Sequence, residues 1–266
     1  MKDDLNSYLH LAAMAAIEAG KRIMEIYETD DFEIDFKSDN SPLTRADIAA
    51  HDIIVEHLNK TGIPVLSEEG KHMPYSDRKD WNTLWIVDPI DGTKEFIKKN
   101  GEFTVNIALV ENQIPVLGII SVPALNQLYF STQENGAYKS DNIDQFQMTS
   151  RVLEHGKKLP LEQERSAYTV VASRSHLSEE TQDFIDNLKE KYGSVDLISK
   201  GSSLKLCMVA EGAADCYPRF APTMEWDTAA GQAICMHAGF DVIDWETQKT
   251  MLYNREKLLN NWFLVK

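Results

Sequence analysis

Leu84-Trp85-Ile86-Val87-Asp88-Pro89-Ile90-Asp91-Gly92-Thr93-Lys94-Glu95-Phe96-Ile97 carries the most information of any stretch in the chain. Its first four residues are apolar and predict a buried strand. Asp88 ends that run. Pro89 has a fixed φ and no backbone N–H, so regular sheet pairing is not expected to continue through it. Gly92 lets the chain turn and lets a ligand approach the backbone. Thr93 to Lys98 reads as a short helix with Phe96 and Ile97 as its buried side. The stretch therefore predicts a strand that delivers two carboxylates, Asp88 and Asp91, to a helix N-terminus. Carboxylates hold hard cations such as Mg²⁺, and free N–H groups at a helix start hold phosphate. One turn can supply both halves of a metal-assisted phosphatase. A turn with a capping acid is the plain structural alternative.

On the N-terminal side, Leu5, Leu9, Ala12, Ala16, Ile23 and Tyr27 recur at helical spacing and predict an amphipathic packing helix over Asp3 to Glu28. Phe32, Ile34 and Phe36 alternate with acids and Lys37, the pattern of a strand, and Ser38 to Pro42 reads as a loop. Thr44-Arg45-Ala46-Asp47 has the form of a helix N-cap with an acid three residues later. Ile63 to Leu66 is a short apolar run that ends in Ser67-Glu68-Glu69-Gly70. C-terminal to the opening stretch, Phe103 to Val110 and Ile114 to Val122 form a hairpin pattern. Leu128 to Phe130 and Ala137-Tyr138 form another around Glu134-Asn135-Gly136.

The chain then changes character. Asp141 to Glu164 is polar and weakly periodic, which makes it the candidate connection between an N-terminal half, 1–150, and a C-terminal half, 151–266. In the second half strands alternate with helices: Tyr168 to Ala172, a helix capped by Ser178, Val195 to Ile198, a helix opened by Gly201-Ser202-Ser203, Ala213 to Tyr217, a helix over Asp227 to His237, and Phe240 to Ile243. This pattern predicts an α/β layer. The small residues Ala229, Ala230, Gly231 and Ala233 suit close helix packing.

Composition narrows the class. The 266 residues include 43% hydrophobic ones, enough for a packed core. Lys and Arg number 27 against 42 Asp and Glu, a formal charge of −15. That sign argues against binding a nucleic-acid duplex, where phosphate contacts need clustered cations, but not against a small phosphorylated substrate, because a bound cation reverses the field locally. Cys207, Cys216 and Cys235 form no CxxC pair and are expected as buried free thiols. The Met1-Lys2-Asp3-Asp4-Leu5 start has no apolar signal core, and no run approaches a membrane span.

The longer string Asp88-Pro89-Ile90-Asp91-Gly92-Thr93 resembles the metal-binding signature of the lithium-sensitive phosphatase superfamily, which includes the inositol monophosphatases. Lys94-Glu95-Phe96 is similar to its 3′(2′),5′-bisphosphate nucleotidase branch, where inositol monophosphatases usually show Thr-Asn-Phe. Thr44-x-x-Asp47, Glu68-Glu69 and Trp226-Asp227-Thr228-Ala229-Ala230-Gly231 resemble its other metal and water-activating segments. Ser173-Arg174-Ser175-His176, Gly201-Ser202-Ser203-Leu204-Lys205 and Tyr217-Pro218-Arg219-Phe220 resemble the branch's nucleotide-contacting segments.

The resemblance implies a layered αβαβα sandwich, an N-terminal half with a largely antiparallel sheet, and a C-terminal α/β half. It implies two or three Mg²⁺ ions held by Glu68, Asp88, the Ile90 carbonyl, Asp91 and Asp227, with Glu69 a weaker candidate beside them. Asp47 and Thr93, with Glu68, would serve the attacking water. Gly92 and Thr93 would offer N–H groups to the phosphate, while His176, Gly201, Ser202, Lys205 and Arg219 would meet the rest of the substrate. The implied reaction is hydrolysis of adenosine 3′,5′-bisphosphate to AMP and phosphate, within sulfate assimilation in the cytoplasm or at the cytoplasmic face of the inner membrane, with Li⁺ inhibition. An inositol or sugar-bisphosphate phosphatase, and a non-catalytic Mg²⁺ or nucleotide sensor, are the alternatives. Oligomeric state is left open.

Overall fold

Strand alternation organises the molecule. In the computed structural model, which describes residues 5–29, 32–37, 42–143, 152–172 and 178–266, side chains of the opening strand point to two separate cores. Trp85 and Val87 face one, and Leu84 and Ile86 face the other. Both faces of the sheet are therefore covered, which is why the strand reads as a continuous apolar run.

In chain order the elements are α1 (Leu5–Tyr27), β1 (Asp35–Phe36), β2 (Pro42–Leu43), α2 (Arg45–Leu58), β3 (Val65–Ser67), α3 (Tyr75–Arg78), β4 (Thr83–Asp91), α4 (Thr93–Ile97), β5 (Thr104–Glu111), β6 (Ile114–Val122), β7 (Gln127–Thr132) and β8 (Gly136–Ser140). They continue with β9 (Lys157–Lys158), β10 (Tyr168–Ala172), α5 (Glu179–Tyr192), β11 (Val195–Ser199), α6 (Leu204–Ala210), β12 (Tyr217–Arg219), α7 (Glu225–His237), β13 (Val242–Asp244) and β14 (Phe263–Val265). A seven-stranded sheet runs β3-β4-β5-β6-β7-β8-β9, antiparallel except for the β3–β4 pair. Helices α1 and α2 cover one face through Leu9, Ala12, Ala16, Ile23 and Ile54. Helices α6 and α7 cover the other through Leu206, Ala230 and Ile234. Beyond them lie β12-β14-β13 and the parallel pair β10-β11, linked by a Val170–Cys216 bridge, with α5 packed outside. This is the layered αβαβα arrangement. The expected junction of the two halves, at 150–151, falls outside the described residues, as does the loop at 38–41.

Regular pairing breaks at Pro89, as expected: the β4–β5 ladder shifts register between Asp88 and Asp91, then resumes at Asp91↔Thr104. A bulge accommodates the missing N–H and turns the carboxylates out of the regular pleat. Two expectations need correction. The alternating Phe32–Phe36 segment forms only the two residues of β1, paired with Pro42–Leu43, and leaves Phe36 70% exposed. Pro42 thus belongs to a strand rather than to the loop before it. The strand expected over Ala213 to Tyr217 lies instead at Tyr217–Arg219, because the N–H groups of Gly212, Ala213 and Ala214 are taken by carbonyls of α6. Strand β14 has no counterpart among the sequence expectations.

The small residues of α7 behave as predicted. A Cβ on Gly118 of β6 would run into the Ala230 carbonyl and lie 2.8 Å from Ala233 Cβ. Gly118→Ala is expected to destabilise the fold by roughly 1–3 kcal/mol, the usual cost of overpacking. Urea denaturation checks this, and an unchanged midpoint would mean that the sheet and α7 give way easily.

Candidate active site

The site lies where β3, β4, α2 and α7 bring their ends together. Thr44 caps α2. Its hydroxyl accepts from the Ala46 N–H, and Asp47 Oδ2 accepts from Thr44 N at 2.8 Å and Thr44 Oγ1 at 2.6 Å. The cap leaves Asp47 Oδ1 facing Thr93, whose hydroxyl donates to it at 3.2 Å. That hydroxyl also lies 3.4 Å from the Ile90 carbonyl, so its single proton has two possible acceptors. Burial raises the Asp47 pKa, and the bonds from Thr44 and Thr93 partly offset the effect.

Asp88 is almost fully buried and accepts from the Ile90 N–H at 3.0 Å. Burial pushes its pKa well above the ordinary carboxylate value, and the neighbouring Glu68, Asp91 and Asp227 push it further. Asp227 stands in the first turn of α7, where its Oδ2 accepts from Met224 N at 2.8 Å. Its pKa is likewise raised by burial and by Asp91. Glu68, Asp88 and Asp227 each present an oxygen within 4.8 Å of the other two. Three carboxylates this close are unfavourable unless protons or cations neutralise them. An all-oxygen, anionic donor set that is buried at Asp88 and half-buried at Glu68 and Asp227 suits a hard divalent ion.

Gly92 links this cluster to α4 with φ +94°, a conformation side chains disfavour, and a Cβ there would press on the Glu102 carbonyl at 3.2 Å. Asp91 lies outside the group of three. Its Oδ2 accepts from the hydroxyls of Ser202 at 2.9 Å and Ser203 at 2.7 Å. Ser203 Oγ also reaches the Asp227 carbonyl at 2.7 Å and accepts from Asn106 Nδ2 at 2.9 Å. The turn before α6 is thereby tied to both Asp91 and Asp227.

A cleft opens from Asp91 and Asp227 toward Lys94, Lys98, Lys200, Lys205 and Arg219. The chain is strongly acidic, yet five cations line this cleft, with Glu95 and Glu102 among them. Lys205 Nζ is buried and donates to the Ser202 carbonyl at 2.6 Å and the Lys200 carbonyl at 3.3 Å. Burial lowers its pKa to about 8, against the opposing pull of Asp91. Arg219 donates to the Pro222 carbonyl, while its Nε is buried without a partner among the described residues. Gly201 and Ser202 line the same cleft. His176 lies outside the described residues.

Four contributors had no motif in the sequence. Lys37 donates to Glu68 at 2.7 Å and also to Glu69. Burial opposes its charge, but the two acids outweigh burial and raise its pKa. Glu102 accepts from Gly201 N. Thr104 and Asn106 are buried polar residues on the otherwise apolar β5, and polar side chains in such a run are the one signal that could have flagged them.

This fold, with its converging acids at strand and helix ends, defines a family. The model of the inositol monophosphatase family matches residues 4–264, and the chain belongs to that family. Within it, the chain is 45% identical over 261 residues to the 3′(2′),5′-bisphosphate nucleotidase CysQ of Salmonella typhimurium, covering 97% of this chain and 98% of the relative. The protein of the same name from Escherichia coli is 44% identical over 94% of this chain and 96% of its own. The crystal structure of CysQ from Bacteroides thetaiotaomicron superposes with a TM-score of 0.89 at 52% identity, covering 98% of this chain and 97% of that one. A Thermotoga maritima inositol monophosphatase shares the fold, with a TM-score of 0.74 at 22% identity, covering 98% of this chain and 92% of that one.

Proposed function

We propose that the chain is a Mg²⁺-dependent phosphatase that hydrolyses the 3′-phosphate of adenosine 3′,5′-bisphosphate to AMP and phosphate. The observation that carries this reading is the juxtaposition of the half-buried Glu68 and Asp227 and the buried Asp88 carboxylates with a cleft lined by five Lys and Arg side chains. The identity with the CysQ relatives supports the same substrate. Glu68, Asp88, the Ile90 carbonyl, Asp91 and Asp227 would hold the ions, which when bound supply Lewis-acid stabilisation of the phosphoryl oxygens and acidify the attacking water.

The chain's own groups then do the following. Thr93 Oγ orients the water and takes its proton as its own hydroxyl proton passes to Asp47 Oδ1. Bond formation from water oxygen to phosphorus accompanies cleavage of the P–O bond to the ribose; the departing 3′ oxygen takes a proton from solvent water, and Asp47 gives the proton it received back to solvent. The backbone N–H groups of Gly92 and Thr93 face the phosphate. Lys205 and Arg219, with His176, meet the 5′-phosphate and nucleoside; Arg can do so through two parallel hydrogen bonds.

Phosphate release from adenosine 3′,5′-bisphosphate, inositol 1-phosphate and fructose 1,6-bisphosphate, each with and without Mg²⁺, tests the assignment. Clear preference for the nucleotide is the expected result, and equal or greater turnover of inositol 1-phosphate would overturn it. Lys205→Ala and Arg219→Ala are each expected to weaken that preference by about 10-fold or more, the scale of one lost charge-assisted hydrogen bond. An unchanged preference in both variants would remove these residues from the substrate site.

A further inference from the structure

Glu102 lies in the short link between α4 and β5, outside every metal and substrate motif of the sequence. Its Oε2 accepts from Gly201 N at 2.8 Å, its Oε1 lies 3.4 Å from Lys200 Nζ, and its own N–H is held by Asn100 Oδ1 at 2.9 Å. Glu102 thus grips the start of the turn that precedes α6. That turn is unusual. Ser202 adopts φ +53°, the left-handed region that a side chain enters at a cost of about 1–2 kcal/mol. It has no local reason to stay there. Its neighbours supply one: the Ser202 hydroxyl reaches Asp91 at 2.9 Å, and its carbonyl receives Lys205 Nζ at 2.6 Å. A single strained residue bridges the acidic and cationic ends of the cleft.

The fit of Glu102 against the turn is close. A Cβ on Gly201 would meet Glu102 Cβ, the Glu102 carbonyl oxygen and Glu95 Cγ, each at 3.0 Å. Glycine is thus the residue that allows this approach, and it brings its N–H onto the Glu102 carboxylate.

We infer that Glu102 is a positioning residue: by fixing the Gly201 N–H it holds Ser202 in its left-handed conformation, and so sets the distance between Asp91 and the Lys205 ammonium. This rests on the proposed substrate reading, because Lys205 is there the partner of the phosphate not cleaved. Losing the acceptor lets the turn relax, moves the Lys205 carbonyl cradle, and weakens binding of a two-phosphate substrate more than the chemical step.

The test compares Glu102→Ala with Glu102→Gln, since glutamine keeps a carbonyl acceptor for Gly201 N but lacks the charge. Glu102→Ala is expected to raise KM for adenosine 3′,5′-bisphosphate about 10-fold, with a smaller change in kcat, the penalty of one lost acceptor at a partly buried amide. Glu102→Gln is expected to restore most of that loss. Amide hydrogen exchange gives a readout independent of turnover: exchange at 201–204 should accelerate in Glu102→Ala and stay near wild type in Glu102→Gln. Unchanged exchange and unchanged KM in Glu102→Ala would overturn the inference. Glutamine as damaging as alanine would also overturn it, because charge rather than hydrogen-bond geometry would then matter. A wild-type chain inactive on the bisphosphate refutes the substrate reading, while the exchange result still decides the role of Glu102.

Discussion

Asp88→Asn is expected to abolish nearly all phosphatase turnover while leaving the chain folded. Asp88 sits at the centre of the cluster, within reach of both Glu68 and Asp227, and asparagine keeps its shape but not its charge. Loss of a group that only orients a ligand costs 10–100-fold, and loss of the central carboxylate should exceed that. The same substitution should stabilise the metal-free chain. Burial and four neighbouring acids raise the folded-state pKa of Asp88, so the folded state binds its proton more tightly than the unfolded state does. Its contribution to stability is present at low pH and is lost as pH rises through that raised value. His237 has the opposite sign: its pKa is lowered by burial from 6.5 to about 4, so its contribution grows across that interval. Subtracting the melting profile of Asp88→Asn from that of wild type cancels His237. The difference should widen against wild type with rising pH in chelator, and shrink or reverse with Mg²⁺, which stabilises only a state that binds it. Normal turnover, or equal stabilisation of both proteins by Mg²⁺, would remove Asp88 from the metal site.

Thr93→Ala should reduce kcat by about 10²–10⁴-fold, the usual contribution of a positioned proton acceptor. The comparison with Asp47 makes this informative. Asp47 has two tasks, because Oδ2 closes the cap of α2 while Oδ1 holds the Thr93 hydroxyl. Replacing it confounds catalysis with helix stability, since a lost cap alone costs about 0.5–2 kcal/mol. Thr93→Ala removes the hydroxyl, with its neighbouring methyl, and leaves the cap intact. Thr44→Ala does the reverse. The expected pattern is an inactive but thermally normal Thr93→Ala and a less stable Thr44→Ala that retains the greater share of turnover. Activity in Thr93→Ala within a few-fold of wild type would assign the water to other groups.

The sequence signals that flagged the acids now found near one another were local. Asp47 follows a threonine by three residues, Asp88 and Asp91 bracket the proline at the bulged end of β4, and Asp227 stands in the first turn of a helix of small residues. Each is marked by its own neighbours. The four-residue apolar run of β4 announced burial on both sides, and its alternation between two cores followed from strand geometry. What could not be read depended on a distant partner. Phe32, Ile34 and Phe36 alternate like a strand, but only two residues of β1 find one. Lys37 reaches Glu68 across 31 positions, and Glu102 reaches Gly201 across 99. Nothing near either residue encodes that meeting. Asn106 shows the middle case, since an amide in an apolar strand signals a buried partner without naming Ser203.

Helix α7 carries Asp227 at one end, and along its body Ala230 and Ala233 lie against Gly118 while Gly231 lies against Leu206. The coordinate of that acid along the helical axis is thus dictated by clearances about one to two turns further along the same helix. Mg²⁺ tolerates only a narrow span of oxygen distances. A bulkier side chain at these contacts would displace the rod, and with it the Asp227 carboxylate, at the same time as it weakens the packing of α7 on the sheet.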